Sequence, residues 1–169
     1  MKLVETNLWE LVMRRSDASP DKEMLVDEQG RRITFSEYML SAEEMAAGLN
    51  SVGVQKGDVV AWELPTWIET VILAAALSRL GAIQNPIIAI YREREVRFCV
   101  KQANATVLIT PGVFKGFDFG NMGKKIESTV SGLRHLSVSP DNFPKGDITQ
   151  LPNYSAPETD ELRWLCYTS

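Results

Sequence analysis

The residues whose types most clearly suggest a chemical role are two small hydroxyl side chains that follow an apolar run. Leu162 to Tyr167 reads as a strand, and Thr168 and Ser169 follow it directly. A strand that runs into small hydroxyl residues is a common start for loops that wrap phosphate groups, because backbone and side-chain donors can approach the oxygens closely. We therefore expect Thr168 and Ser169 to begin a phosphate-binding loop. The chain would then be the N-terminal part of a larger nucleotide-using enzyme and would end at its active site.

Other motifs that would carry chemistry are incomplete. Residues 121–125 superficially suggest a Walker loop, but Asp118 stands where its first glycine is needed and Lys125 replaces the magnesium-binding hydroxyl residue. The first strands are followed by Pro65 and Pro86 rather than by a glycine-rich dinucleotide-binding turn. A single histidine and no suitably placed serine leave no catalytic triad. We therefore expect no catalytic residue and no metal site within the chain.

Composition narrows the classes of partner. A net charge of −4 over 169 residues argues against nucleic acid, which requires a basic face. No stretch approaches the roughly 18 apolar residues that span a bilayer, and the first residues lack the apolar core of a signal peptide. Cys99 and Cys166 have neither metal-ligand spacing nor a CxxC arrangement, which predicts two reduced core cysteines in a cytoplasmic protein.

Apolar periodicity predicts the elements that must position these residues. A helix over 7–15 precedes a hairpin over 24–34, and Thr34 to Glu37 and Thr66 to Glu69 read as capping boxes that open two core-facing helices. Further strands are predicted near 59–64, 82–87, 106–110, 136–138 and 162–167, with helices at 92–103 and 121–130. Residues 139–160, rich in proline, read as an extended surface connection.

Strands that alternate with amphipathic helices predict an α/β fold in which helices cover both faces of a parallel sheet. We expect residues 1–169 to form one α/β subdomain. Ligands of such sheets bind beyond the carboxyl ends of the strands. At these ends Trp67 and Tyr91 could line an organic-acid pocket, and Arg92 could meet a phosphate. Each also has a structural alternative, as a helix N-terminus, as loop packing and as a helix-start surface residue respectively.

The order of these landmarks resembles the N-terminal part of the adenylate-forming, or AMP-binding, acyl-CoA synthetases. The matching features are the hairpin over 24–34, the helix start at 34–37, residues 53–60, Leu64-Pro65, Leu80-Gly81-Ala82, Asn85-Pro86, Glu95 and the run 105–109. Tyr167-Thr168-Ser169 is similar to the opening of the family's phosphate loop, Thr-Ser-Gly-Thr-Thr-Gly-x-Pro-Lys-Gly. Residues 85–96 and 114–118 look most like those of ligases for alicyclic acids such as cyclohexanecarboxylate.

This resemblance implies a two-step reaction for the parent enzyme. A carboxylate attacks the α-phosphate of ATP to give an acyl-adenylate and pyrophosphate, and the thiol of CoA then displaces AMP. ATP, Mg²⁺ and CoA are the implied cofactors of the parent, and none is expected in the 169-residue chain, which lacks most of the phosphate loop and the lysine-bearing C-terminal domain. We expect the chain by itself to be inactive.

A non-enzymatic binding or scaffolding module, acting through the last strand, is the alternative. In either case an exposed strand edge over residues 162–167 would favour self-association.

Overall fold

The computed structural model describes residues 7–156, 158 and 160–167 of the chain. The chain folds into two compact units. The first unit contains residues 1–55, 66–81 and 144–161, and the second contains residues 56–65, 82–143 and 162–169. Each unit is therefore assembled from three separate stretches of sequence, which alternate along the chain.

The first unit is mainly helical. Its elements are α1 (Leu8–Ala18), β1 (Glu23–Val26), β2 (Arg32–Thr34), α2 (Phe35–Ser51), α3 (Ile68–Leu80) and a short 3-10 helix (Ile148–Gln150). β1 and β2 form the predicted antiparallel hairpin. Gly48 of α2 lets the chain at Pro144 come very close, since a Cβ added at Gly48 would lie 2.3 Å from the Pro144 carbonyl carbon. The predicted extended connection over 139–160 thus crosses α2.

The two predicted capping boxes have opposite outcomes. The first is confirmed: the Thr34 hydroxyl accepts from the Glu37 amide at 3.3 Å, and the Glu37 carboxylate accepts from the Thr34 amide at 2.7 Å. The second prediction is wrong, because α3 begins at Ile68 and its N-cap, Trp67, makes no side-chain cap hydrogen bond. The Glu69 carboxylate accepts instead from the Arg31 guanidinium at 2.6 Å.

The second unit is built on a four-stranded parallel sheet. Its elements are β3 (Val59–Trp62), β4 (Ile83–Pro86), α4 (Glu93–Gln102), β5 (Val107–Pro111), β6 (Val113–Phe114), β7 (Phe117–Asp118), α5 (Phe119–Glu127) and β8 (Arg134–Val138). The strand order is β4-β3-β5-β8. β6 and β7 form a small antiparallel hairpin after β5.

The core of this unit lies between the sheet and the helices α4 and α5. Val100, Leu108 and Ile126 are fully buried in it. All five residues of β5 are buried, as expected for a central strand of a parallel sheet. The predicted fold class, an α/β structure with a parallel sheet flanked by helices, is confirmed. The single-subdomain boundary over 1–169 stays a prediction.

The predicted last strand is shorter than expected. Over residues 162–167 only Trp164 forms a bridge, parallel to Gln84 of β4. Leu162 and Trp164 leave 54% and 42% of their surfaces exposed, so the apolar run does not bury its outward side chains.

Within the part of the chain described here, no helix combines the length and apolar character needed to cross a membrane.

Candidate functional site

The candidate site lies at the carboxyl edge of the sheet in the second unit. Trp62 ends β3 and stands level with Pro86 of β4 and Ile109 of β5. The chain leaving β4 is held at this edge, because the Ile87 amide donates to the Trp62 carbonyl at 2.9 Å. The loop over residues 87–92 therefore starts where ligands of parallel α/β sheets bind.

A cavity of about 470 Å³ opens beside this loop. It is lined by Tyr91, Arg94, Glu95, Phe98, Cys99 and Tyr167. Aromatic side chains give it apolar walls, and one cation and one anion from α4 add charge. Burial raises the pKa values of the Cys99 thiol and the Tyr167 hydroxyl, so the uncharged forms of both groups are favoured here. The cavity can therefore hold an organic group that carries a polar end.

Arg92 is exposed, yet its side chain and backbone make several specific contacts. Its guanidinium lies 4.3 Å from the centre of the Phe117 ring, within cation–π range. Its Nη1 donates to the Tyr91 carbonyl at 2.6 Å. The Arg92 amide donates to the Glu95 carboxylate at 3.2 Å, which supports the first turn of α4. These contacts join the loop to α4 and to the β6–β7 hairpin.

Glu63 is an unexpected buried acid at the end of β3. It has no exposed surface, and neither carboxyl oxygen has a hydrogen-bond partner among the described residues. Burial raises its pKa to about 8, although the positive charge of Arg92 acts in the opposite direction. At neutral pH this side chain is therefore mainly a neutral carboxylic acid.

The segment that precedes Thr168 and Ser169 is attached to β4. The Gln84 amide donates to the Arg163 carbonyl at 2.7 Å, and the Leu165 amide donates to the Gln84 carbonyl at 2.8 Å. Residues 163–165 thus run parallel to β4 along the edge of the sheet. Thr168 and Ser169, the predicted start of the phosphate loop, lie outside the described residues.

The structure brings some of the predicted residues together. Tyr91 lines the cavity with Tyr167, and Arg92 braces the same loop. Trp67 belongs to the first unit, where it stands at the N-terminus of α3. Sequence reasoning missed Glu63, whose only signal was a lone acid inside an apolar strand pattern. Within the described residues, no group of three or more histidine, cysteine, aspartate or glutamate side chains is placed to hold a metal ion.

The chain belongs to the AMP-binding enzyme family, whose model matches residues 12–169. It is 29% identical over 135 residues to 2-hydroxy-7-methoxy-5-methyl-1-naphthoate–CoA ligase of Streptomyces carzinostaticus, covering 80% of this chain and 22% of the relative. It is 35% identical to acetyl-coenzyme A synthetase of Penicillium chrysogenum, covering 94% of this chain and 27% of the relative. A solved fatty acyl CoA synthetase of Mycobacterium tuberculosis shares the fold, with a TM-score of 0.77 at 21% identity over 97% of this chain and 33% of that one.

The chain spans about a quarter of the length of these curated relatives, at 22% and 27%. It corresponds to the N-terminal part of the family, as the sequence predicted. The relatives are named for naphthoate and acetate, and they give no support to the expected similarity to cyclohexanecarboxylate ligases.

Proposed function

We propose that this chain forms the N-terminal part of an ATP-dependent acyl-CoA ligase. In the first step, an oxygen of a carboxylic acid bonds to the α-phosphorus of ATP, used as its magnesium complex, and pyrophosphate leaves. In the second step, the sulfur of CoA bonds to the acyl carbon and AMP leaves. The observation that carries the proposal is the family match over residues 12–169, which includes the hydroxyl pair after Tyr167.

The residues take the following places in this proposal. Thr168 and Ser169 form the start of the loop that binds the ATP phosphates. Tyr91, a wall of the cavity of about 470 Å³, lies near the acyl or CoA group, and Arg92 holds the loop that carries Tyr91. Trp67 is proposed as a second residue near these groups. The free cysteines Cys99 and Cys166 support a reducing compartment, so we place the reaction in the cytoplasm.

The test is an assay of AMP release that depends on both the carboxylic acid and CoA. A ligase that carries residues 1–169 as its first part should release AMP and form pyrophosphate, and hydroxylamine should trap its acyl-adenylate. The 169-residue chain should show no turnover. Turnover by the chain alone near the rate of the longer enzyme would contradict the proposed need for the downstream domains, and absence of adenylate in the longer enzyme would contradict the function itself.

A binding module is the second candidate, and the exposed apolar side chains of the second unit favour it. Leu162 and Trp164 lie near the sheet edge, and Phe98 of α4 is 59% exposed. Apolar surface of this kind favours association between copies of the chain. Light scattering over a concentration series should therefore show dimers or larger species for the 169-residue chain, and a monomer at high concentration would contradict self-association.

A further inference from the structure

Two side-chain hydrogen bonds tie residues 163–167 to β4 and to α4. The apolar side chains of this segment contribute unequally, because Leu162 and Trp164 are largely exposed whereas Tyr167 packs against the core cluster. Two backbone hydrogen bonds, one on either side of Gln84, pair the segment with β4. A strand paired through so few bonds can slip along its neighbour unless something else sets the register.

Asn85 supplies the first register contact. Its Nδ2 donates to the Leu165 carbonyl at 2.8 Å from a position on β4 that has no exposed surface. Its Oδ1 is buried and has no hydrogen-bond partner among the described residues. A buried acceptor without a donor costs free energy that an apolar residue would avoid. The bond to Leu165 gives a physical reason for a polar residue at this position.

Tyr167 supplies the second contact. Its hydroxyl donates to the Cys99 carbonyl of α4 at 3.1 Å. Its ring packs edge-on against Phe98, with ring centres 6.2 Å apart and an interplanar angle of 62°. Tyr167 therefore ties the end of the segment to α4, while Asn85 ties its middle to β4. The segment is held at two points on two different elements.

We infer that Asn85 and Tyr167 are positioning residues that place Thr168 and Ser169 for the ATP phosphates. This inference rests on the proposed ligase function, because only that function gives the hydroxyl pair a phosphate to bind. Since Tyr167 is bonded directly to Thr168, a shift at Tyr167 passes to the hydroxyl pair through one peptide unit. Neither positioning residue needs to touch the nucleotide.

The local part of the inference is tested in the 169-residue chain by amide hydrogen exchange. Tyr167→Phe removes only the hydroxyl and keeps the ring on Phe98. It should raise exchange at the Leu165 amide about fivefold, the equivalent of one ordinary hydrogen bond. Tyr154→Phe is the matched control, since the Tyr154 hydroxyl bonds to Asn7 in the first unit, and it should leave the Leu165 amide unchanged. Equal exchange at Leu165 in Tyr167→Phe and wild type would overturn the register role of Tyr167.

The functional part is tested in a ligase that carries this chain. Tyr167→Phe and Asn85→Leu should raise the KM for ATP in adenylate formation about fivefold or more, since each loses one hydrogen bond that orders the segment. They should leave the reaction of CoA with preformed acyl-adenylate at its wild-type rate, because pyrophosphate has already left. Tyr154→Phe should change neither step.

Three outcomes decide between the explanations. An unchanged KM for ATP in Tyr167→Phe, or equal losses in both half-reactions, would overturn the positioning role and leave only a structural one. If Asn85→Leu fails to fold, Tyr167→Phe still gives the decision. If the wild-type ligase forms no adenylate, the proposed function fails, and unchanged exchange at Leu165 would separately refute the register contacts.

Discussion

The sheet of the second unit contains two regions that reach their positions by different means. β5 is paired on both sides, and each of its five residues is buried. The segment over 162–167 pairs with one residue of β4 and exposes Leu162, Trp164 and Cys166. Burial from many directions therefore fixes β5, whereas hydrogen bonds and the packing of one side chain, Tyr167, hold the segment.

This difference has a consequence for function. A strand fixed by burial cannot move without exposing apolar surface, so it makes a rigid support. A segment fixed by single hydrogen bonds opens at a smaller cost in free energy. In the proposed ligase the phosphate loop would begin on the more easily displaced region, while β5 supports the edge from which the loop departs.

The largest expected effect is truncation of a side chain in β5. Leu108 has no exposed surface and lies in the main core cluster. Leu108→Ala should lower the free energy of unfolding by about 4 kcal/mol, since it removes buried apolar surface and leaves a cavity. Chemical denaturation followed by circular dichroism measures it. Leu162→Ala, at a residue that is 54% exposed, is the matched control and should cost less than about 1 kcal/mol. Similar losses at both positions would refute the contrast between the two regions.

The second prediction concerns Glu63, a buried polar residue beside β5. Glu63 follows β3, and its amide donates to the Ile109 carbonyl at 2.9 Å. Its pKa is about 8 in the folded state, against an ordinary value of 4.5. Because the folded-state pKa is the higher one, the stability that buried Glu63 permits is fully present at pH values below its ordinary pKa. It is lost as the pH rises from there through about 8, where the unfolded chain gains by ionising and the buried acid does not.

Glu63→Gln keeps the shape and removes the ionisation. The variant should match wild type near pH 4 and gain about 4 kcal/mol over it between pH 5 and pH 9. Denaturation curves for both proteins across this range provide the measurement. Glu127→Gln, at a half-buried carboxylate that accepts from the His135 amide at 2.9 Å, serves as the comparison for the chemical change itself. Parallel stability curves for wild type and Glu63→Gln would show that Glu63 ionises normally.

Local sequence signals predicted much of this fold. The helix over 92–103 was predicted from inward residues such as Val96 and Val100, and α4 is observed at Glu93–Gln102. The Thr34 capping box depends on residues three positions apart, so the sequence alone contains it. The Thr66 box is not formed: α3 begins at Ile68, and Glu69 binds Arg31, which is 38 residues away in sequence. A local pattern gives no information on such a competitor.

The candidate site was less predictable for the same reason. Tyr91 and Arg92 follow a strand, and the rule for parallel sheets predicted their edge of the sheet. The cavity, however, also needs Phe98 and Tyr167, which meet only when α4 and the segment over 162–167 are in place. The neutral state of Glu63 likewise depends on burial by residues distant in sequence. The roles of Thr168, Ser169 and Trp67 remain predictions.

The third prediction concerns the other neighbour of β5. The Thr110 hydroxyl of β5 and Nε2 of His135 in β8 lie 2.8 Å apart in a hydrogen bond. A Cβ added at Gly123 of α5 would lie 2.1 Å from that same nitrogen. Gly123→Ala should therefore destabilise the protein by about 2 kcal/mol, even though alanine favours helices by up to about 1 kcal/mol over glycine.

Thermal and chemical denaturation measure this effect. Gly112→Ala is the matched control, because its added Cβ would meet only the Ser137 hydroxyl at an ordinary 3.8 Å. The control should stay within about 0.5 kcal/mol of wild type. If Gly123→Ala proves as stable as Gly112→Ala, the imidazole can move aside, and the β5–β8 side of the sheet is less tightly fixed than burial indicates.

The prediction with the smallest expected effect compares the same substitution, cysteine to serine, in the two regions. Cys99 of α4 is buried in the core beside β5, as predicted, but the prediction of a core position is wrong for Cys166, which is exposed in the segment. Cys99→Ser places a hydroxyl in an apolar core and should cost about 1–2 kcal/mol, whereas Cys166→Ser should change stability by less than about 0.5 kcal/mol. A thiol reagent at neutral pH should modify Cys166 rapidly and Cys99 only after unfolding, because burial also raises the pKa of the Cys99 thiol. Equal reaction rates in the folded chain would show that α4 opens as readily as the segment, which would remove the distinction between a region fixed by burial and one fixed by hydrogen bonds.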